Sequence, residues 1–396
     1  MKKLILFFIV TFFFTIDLRS QESDYVKPID RSVQPKQGKT PTIDLKKPTI
    51  FTLKSGLTVI VVENKKLPTF SVRVSIDNPP SSEGDKAGLN QLSSALFGEG
   101  SKNISKQVFN EEVDYLGASI SLGMGFAYGN GLSKHKERIF ELLSDAALYP
   151  NFTQEELDKE KDKLITGLKS EENSPAAIAQ RVTSILAYSK DHPYGEYVSE
   201  ESVKNVSLKD IENNYKKMFN PNNAYMVVSG DVNVDEIKQL VTKYFKNWKI
   251  SKKKLNQTIK NPVDVASTEI NFVDMPDAVQ SELSVLNITD LQTNSEDHHA
   301  ALVTNYILGG AFNSYLNMNL REENGWTYGA RSSIARNKWT NATFRATTSV
   351  RNAVTDSAVV ETLKEINKIR DEFVNDDMLA TAKAKYLGNF IMSTEN

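Results

Sequence analysis

The chain contains no cysteine and only four histidines. The first absence excludes a disulfide framework, a thiol nucleophile and a lipid-anchoring cysteine. The second leaves His135, His192 and the adjacent pair His298 and His299, without the H-x-x-H or H-x3-H spacing that would gather imidazoles around a metal. An excess of one charge is also missing: 48 Lys and Arg stand against 50 Asp and Glu, a net charge of -2. No basic field therefore points to nucleic acid or an anionic membrane. Long hydrophobic runs are lacking too. The apolar stretch Leu4 to Ile16 is too short to cross a bilayer as a helix, and behind Met1-Lys2-Lys3 it reads as a secretory signal over 1–20, cut near Ser20 or Gln21. The expected address is periplasmic or secreted, with no membrane anchor after cleavage.

What is present suits a globular protein, since 40% hydrophobic residues fill sizeable cores over two to three domains. Residues 21–47 are polar, with Pro28, Pro35 and Pro41, and read as an arm or linker. From Pro48 the pattern predicts strands at 51–53, 57–62 and 69–76 as an antiparallel meander, then a helix at 105–116 capped by Ser105. Strands at 118–122 and 126–132 follow. A helical layer at 134–148, 153–172 and 175–188 comes next, the second helix opened by a capping box at Thr153. A helix at 207–218, a strand at 223–230 and a helix at 234–248 close the first half. The lysine-rich 250–260 reads as an interdomain linker, with an anion-binding patch as the alternative. The plan then restarts, with strands at 269–273 and 280–288 and a helix at 296–308. The chain thus reads as α+β, a tandem repeat of two related domains (48–249 and 261–396), each an antiparallel or mixed sheet covered on one face by helices. The second copy is shorter by roughly 60 residues.

One helix carries the chemical clue. Gly88-Leu89-Asn90-Gln91-Leu92-Ser93-Ser94-Ala95-Leu96-Phe97-Gly98-Glu99-Gly100-Ser101 keeps the frame of an inverzincin helix, G-L-x-H-x-x-E-H and an apolar turn. The two ligand positions hold Gln91 and Ala95, and the base position holds Ser94. A carboxamide, a methyl and a hydroxyl neither bind zinc as imidazoles do nor take a proton from metal-bound water near neutral pH. The same residues also read as an ordinary amphipathic helix.

This layout, with Leu308-Gly309-Gly310-Ala311-Phe312-Asn313-Ser314-Tyr315-Leu316, Leu320-Arg321-Glu322-Glu323-Asn324-Gly325-Trp326-Thr327-Tyr328-Gly329 and Asn220-Pro221-Asn222-Asn223-Ala224, resembles the insulinase/pitrilysin family of zinc peptidases, processing-peptidase-like bacterial members above all. The resemblance implies a clamshell and a third zinc ligand seven residues beyond Glu160, where Gly167 stands. It also implies that Arg321 and Tyr328 reach the substrate carbonyl, a role suited to two fixed donors. Locally, 317–323 ends a helix, Asn324-Gly325 stops it, and 326–333 leaves as a strand, bringing the two side chains near each other. The plain alternative pairs Arg321 with Glu322 or Glu323 and buries Tyr328 in a strand. Family members that split their labour between chains imply a heterodimer here. In it this chain, with no cofactor of its own, would serve a catalytic H-x-x-E-H paralogue that holds the zinc, with a peptide as substrate. A metal-free peptide-binding or scaffold protein is the alternative.

Overall fold

A computed structural model describes residues 31–33, 38, 47–98, 100–249 and 259–393. The expected signal at 1–20 lies outside them, as do most of the arm at 21–47 and of the linker at 250–260. The described residues from 47 onward lie within one compact unit.

The first half contains β1 (Thr49–Thr52), β2 (Thr58–Glu63), β3 (Thr69–Ile76), α1 (Leu89–Leu96), α2 (Lys106–Tyr115), β4 (Ser119–Gly123), β5 (Phe126–Leu132), α3 (Lys136–Leu148), α4 (Gln154–Glu171), α5 (Pro175–Tyr188), α6 (Glu200–Asn205), α7 (Leu208–Met218), β6 (Ala224–Gly230) and α8 (Val234–Phe245). Its helices begin where the capping chemistry sits. Ser105, Thr153, Ser174 and Ser207 each accept a backbone N–H from the first turn through the side-chain oxygen.

The sheet corrects the meander reading. Its order is β1-β2-β6-β3-β5-β4, so β6 enters between β2 and β3, parallel to the first and antiparallel to the second. The inserted strand comes from about 160 residues downstream, and local alternation carries no trace of such a partner. Phe70, Val72 and Val74 on β3 and Met226 and Val228 on β6 point into one core with Ile139, Phe140 and Leu143 of α3 and Val241 and Phe245 of α8. The period-two strands and period-3.6 helices thus share one buried layer.

The second half repeats the order with β7 (Gln280–Thr289), α9 (His298–Asn305), α10 (Tyr315–Asn317), β8 (Ala330–Ile334), β9 (Ala342–Arg351), α11 (Thr355–Asp371) and α12 (Asp376–Ser393). Its sheet, β7-β9-β8, matches β3-β5-β4 of the first half in sequence order and pairing. The strand expected at 269–273 does not form. Residues 263–274 are exposed throughout, with Ile270 at 91% and Phe272 at 81%. A β-like sequence without a ladder partner cannot satisfy its backbone as a strand.

Candidate functional site

At α1 every surviving group is structural. Glu83 accepts the N–H groups of Gly88 (2.8 Å) and Asn90 (3.2 Å), holding the start of the helix. Glu196 in turn accepts the N–H groups of Glu83 (2.8 Å) and Gly84 (2.6 Å). Burial pushes the Glu83 carboxyl above its ordinary value, against the pull of the Asn90 and Gly88 N–H groups, and the neighbouring Glu196 charge adds to the rise. Lys86, 2.7 Å from Asp210, ties the preceding turn to α7 and holds that carboxyl down at about 2.

Leu92 and Leu96 pack with Leu157 of α4 and Val203, Val206 and Ile211. Asn214 donates to Ser93 (3.0 Å) and Asn90 (2.8 Å) from the same side. Gln91 and Ala95 fall on the exposed side of the helix, one turn apart. Ser94 is engaged, its hydroxyl accepting the Met124 N–H at 3.1 Å. On α4, Gly167 faces open space, and Glu160 pairs with Lys163. An amide, a methyl and a bare Cα do not fit a zinc ion, so no chemical step is assigned to a metal in this chain.

The second predicted site lies at the corner before β8. Around it the helices widen into π-turns at Tyr306–Gly310 and Met318–Glu323, a rare geometry that clusters at functional sites. The corner is held by amides. Asn319 donates to Glu361 and the buried Glu365 of α11, each at 2.7 Å, and Asn324 donates back to Asn319. Asn317 spans from the Phe312 carbonyl (2.7 Å) to the Ala330 N–H (3.3 Å). Gly325 takes the left-handed stop at φ +63, and its N–H and that of Trp326 bond the Arg321 and Leu320 carbonyls.

The strand then starts at Ala330, four residues later than the sequence pattern suggests. The Thr327 hydroxyl closes a turn on Gly329, accepting its N–H and donating to its carbonyl, and Thr348 of β9 donates to both Thr327 and Gly329. Pinned on either side, Tyr328 stands 92% exposed instead of buried in a strand. Arg321 pairs with Glu322 (3.2 Å) and lies 4.7 Å from the centre of the Phe312 ring. Among the described residues no hydrogen bond joins Arg321 to Tyr328. Two donors, one charged and one neutral, thus stand at one well-braced corner.

Sequence reasoning missed the contact between the halves. Gln180 of α5 accepts from Arg345 of β9 (2.8 Å), Lys338 pairs with Asp77, and His192 lies 3.4 Å from the Thr340 hydroxyl. His192 is buried among Tyr188 and Tyr194, and burial pushes its pKa below the ordinary 6.5. The concentration of aromatics between 188 and 197 was the one available signal.

Comparison with known proteins bears on the fold that carries this geometry. Residues 205–386 match the family model described as the peptidase M16 inactive domain, and the resemblance to insulinase-type peptidases is borne out. A Helicobacter pylori protein called a non-peptidase homolog, YmxG, is 23% identical over 282 residues, which cover 68% of this chain and 63% of that one; the chain spans less than two thirds of that relative. Among solved structures, a protease from Helicobacter pylori matches with a TM-score of 0.80 at 20% identity, over 89% of this chain and 87% of its own. A peptidase M16 inactive domain from Pseudomonas fluorescens matches at 0.78 and 20% identity, over 86% and 83%. The α+β repeat is therefore the fold of these two structures. Among the described residues no helix is long and apolar enough to cross a membrane.

Proposed function

We propose that this chain is the non-catalytic subunit of a heterodimeric zinc peptidase of the insulinase type, exported to the periplasm by the leader at 1–20. The partner is a paralogue with an intact H-x-x-E-H helix, which carries the zinc. This chain's part is to hold a peptide substrate and to present Arg321 and Tyr328 to the carbonyl oxygen as it gains charge. The observation that supports the reading is the contrast within one molecule: the zinc positions Gln91, Ala95 and Gly167 are stripped, while a half-buried Arg321 and an exposed Tyr328 stand at a corner braced by Asn317, Asn319 and Asn324. Turnover by the assembled complex tests it. Arg321→Ala should lower kcat/KM by the equivalent of about 2 to 4 kcal/mol while the two chains still co-elute. Unchanged turnover in an intact mutant complex refutes the role.

A metal-free peptide-binding or scaffold protein is the second reading. It is favoured by the engagement of Arg321 with Glu322 and Phe312. It predicts peptide affinity in the isolated chain and no partner-dependent hydrolysis.

A further inference from the structure

α5 turns one face to a cavity of about 290 Å³. Ala177, Gln180, Arg181 and Ser184 recur at the three- and four-residue spacing that aligns side chains along one side of a helix, and all four border the space. Glu171, the last residue of α4, and the loop through Tyr194 and Tyr197 supply the other walls. That loop is firmly held. Ser189, directly after α5, takes φ +67 with ψ 160, and among the described residues it is the one non-glycine with positive φ. Strained backbone of this kind persists only where its surroundings fix it, and it gathers at ligand clamps. The His192 carbonyl accepts the N–H groups of Gly195 (2.9 Å) and Glu196 (3.0 Å), and the Glu196 carboxylate accepts those of Glu83 and Gly84 before α1.

The polar groups that the protein does not itself engage there are mainly donors. Gln180 gives its carbonyl oxygen to Arg345 (2.8 Å) and its amide N–H to Ser184 (3.3 Å), so the Ser184 hydroxyl keeps its own proton to donate. Tyr194 and Tyr197 add two phenol hydroxyls and two partly exposed rings. Arg181 is the main charge. Its side chain is only 29% exposed, yet the guanidinium makes no hydrogen bond among the described residues: the nearest Glu171 oxygen is 3.8 Å away, and the Tyr197 ring centre is 5.7 Å from its carbon. Glu171 itself is 54% exposed, so water weakens that attraction. A guanidinium fork fits a carboxylate, and a cavity at the small end of ligand pockets has room for about one amino-acid residue.

We infer that this cavity seats a carboxylate carried on an apolar body, either the C-terminal residue of a peptide or a small free acid. The carboxylate meets Arg181, with the hydroxyls of Ser184 and the two tyrosines as further donors, and an aromatic side chain lies against Ala177 and the phenol rings. Glu171 is then a rival for the guanidinium and not a partner of the ligand. The peptide form deepens the peptide-holding part of the proposed function and rests on it, whereas the site itself needs neither the partner chain nor Arg321.

The test uses the full chain alone and fluorescence anisotropy of an alanine-rich hexapeptide ending in phenylalanine, labelled at its N-terminus, beside the same peptide closed by a C-terminal amide. The free carboxylate should bind at least about tenfold tighter than the amide and lose affinity as salt rises. Binding should slow amide hydrogen exchange within 177–184 and 194–197. Arg181→Gln should remove the preference for the carboxylate. Glu171→Gln should tighten binding severalfold, a gain that damage to the fold does not produce. N-acetylphenylalanine as a competitor separates the two sources: affinity equal to the peptide's assigns the cavity to a small acid, at least about tenfold weaker affinity assigns it to a peptide end, and both support the site. Equal binding of carboxylate and amide, binding of neither, weaker binding by Glu171→Gln, or protection only elsewhere overturns the inference. The kinetic effect of Arg321→Ala in the complex is read separately, so each reading can fail on its own.

Discussion

α4 and α12 hold the same place in the chain order of the two halves and meet different fates. In the first half Leu157 is fully buried, and Leu164, Ile165 and Leu168 pack beside it against α1 and the α6–α7 pair. In the second, Ala382 is the buried residue of α12, while Phe390 is 48% and Met392 68% exposed. The sheets differ in the same way. β6 completes the first, and no described strand takes its place beside β7. Among the described residues the shared order β3-β5-β4 and β7-β9-β8 thus sits within a six-stranded sheet in the first half and a three-stranded one in the second. What closes the first layer is the long return of the chain through α6, α7, β6 and α8. The first half holds the larger buried cluster, and the second carries the exposed Tyr328.

The contrast is broken most directly by truncating one aromatic in each half. Phe140 is fully buried and stacks on Phe70 with ring centres 6.0 Å apart. Phe140→Ala should cost about 3 to 5 kcal/mol of unfolding free energy, through lost burial and the cavity left behind. Phe390→Ala should stay within about 0.5 kcal/mol, because little apolar surface is lost from an exposed side chain. Urea unfolding of both variants measures the difference; a comparable loss at Phe390 would mean that α12 is covered in solution. A smaller effect is expected at Gly309. A Cβ there would stand 2.2 Å from the Ser332 backbone nitrogen, so the π-turn and β8 approach too closely for any side chain. Gly309→Ala should destabilise by about 1 to 3 kcal/mol and, in the complex, displace the corner that carries Arg321.

Much of this was legible where residue type and local spacing decide. Ser105, Thr153 and Ser207 mark helix starts because their oxygens accept first-turn N–H groups, and the structure uses each that way. The stripped zinc helix was readable because Gln91, Ser94 and Ala95 fall at fixed intervals on one side of α1. Long-range pairing was not. Nothing in Val59 or Val61 announces that β6 will run parallel beside them, and Ile270 and Phe272 look like a strand because alternation reports a preference and not a partner. Tyr328 stands clear of the strand because Thr327 and Thr348 hold the turn before it, a contact across 21 residues that no local pattern encodes.

The contact between the halves responds to pH. Burial holds His192 neutral against Tyr188, Tyr194 and Thr340, so the unfolded chain takes up the proton first. Stability should therefore fall as pH drops through about 6.5 and level off once the folded protein itself is protonated there. His192→Phe should flatten that part of the curve, read as urea midpoints between pH 7.5 and 5.5; an unchanged slope would place the linkage at the other histidines. The smallest effect belongs to the ion pair at the edge of the same contact. Lys338 reaches Asp77, but both side chains are largely in water, where screening and lost side-chain freedom cancel most of the attraction. Lys338→Ala should cost less than about 1 kcal/mol, and less still at high salt. A larger loss would mean that this pair, and not the aromatic cluster around His192, holds β9 of the second half against the first.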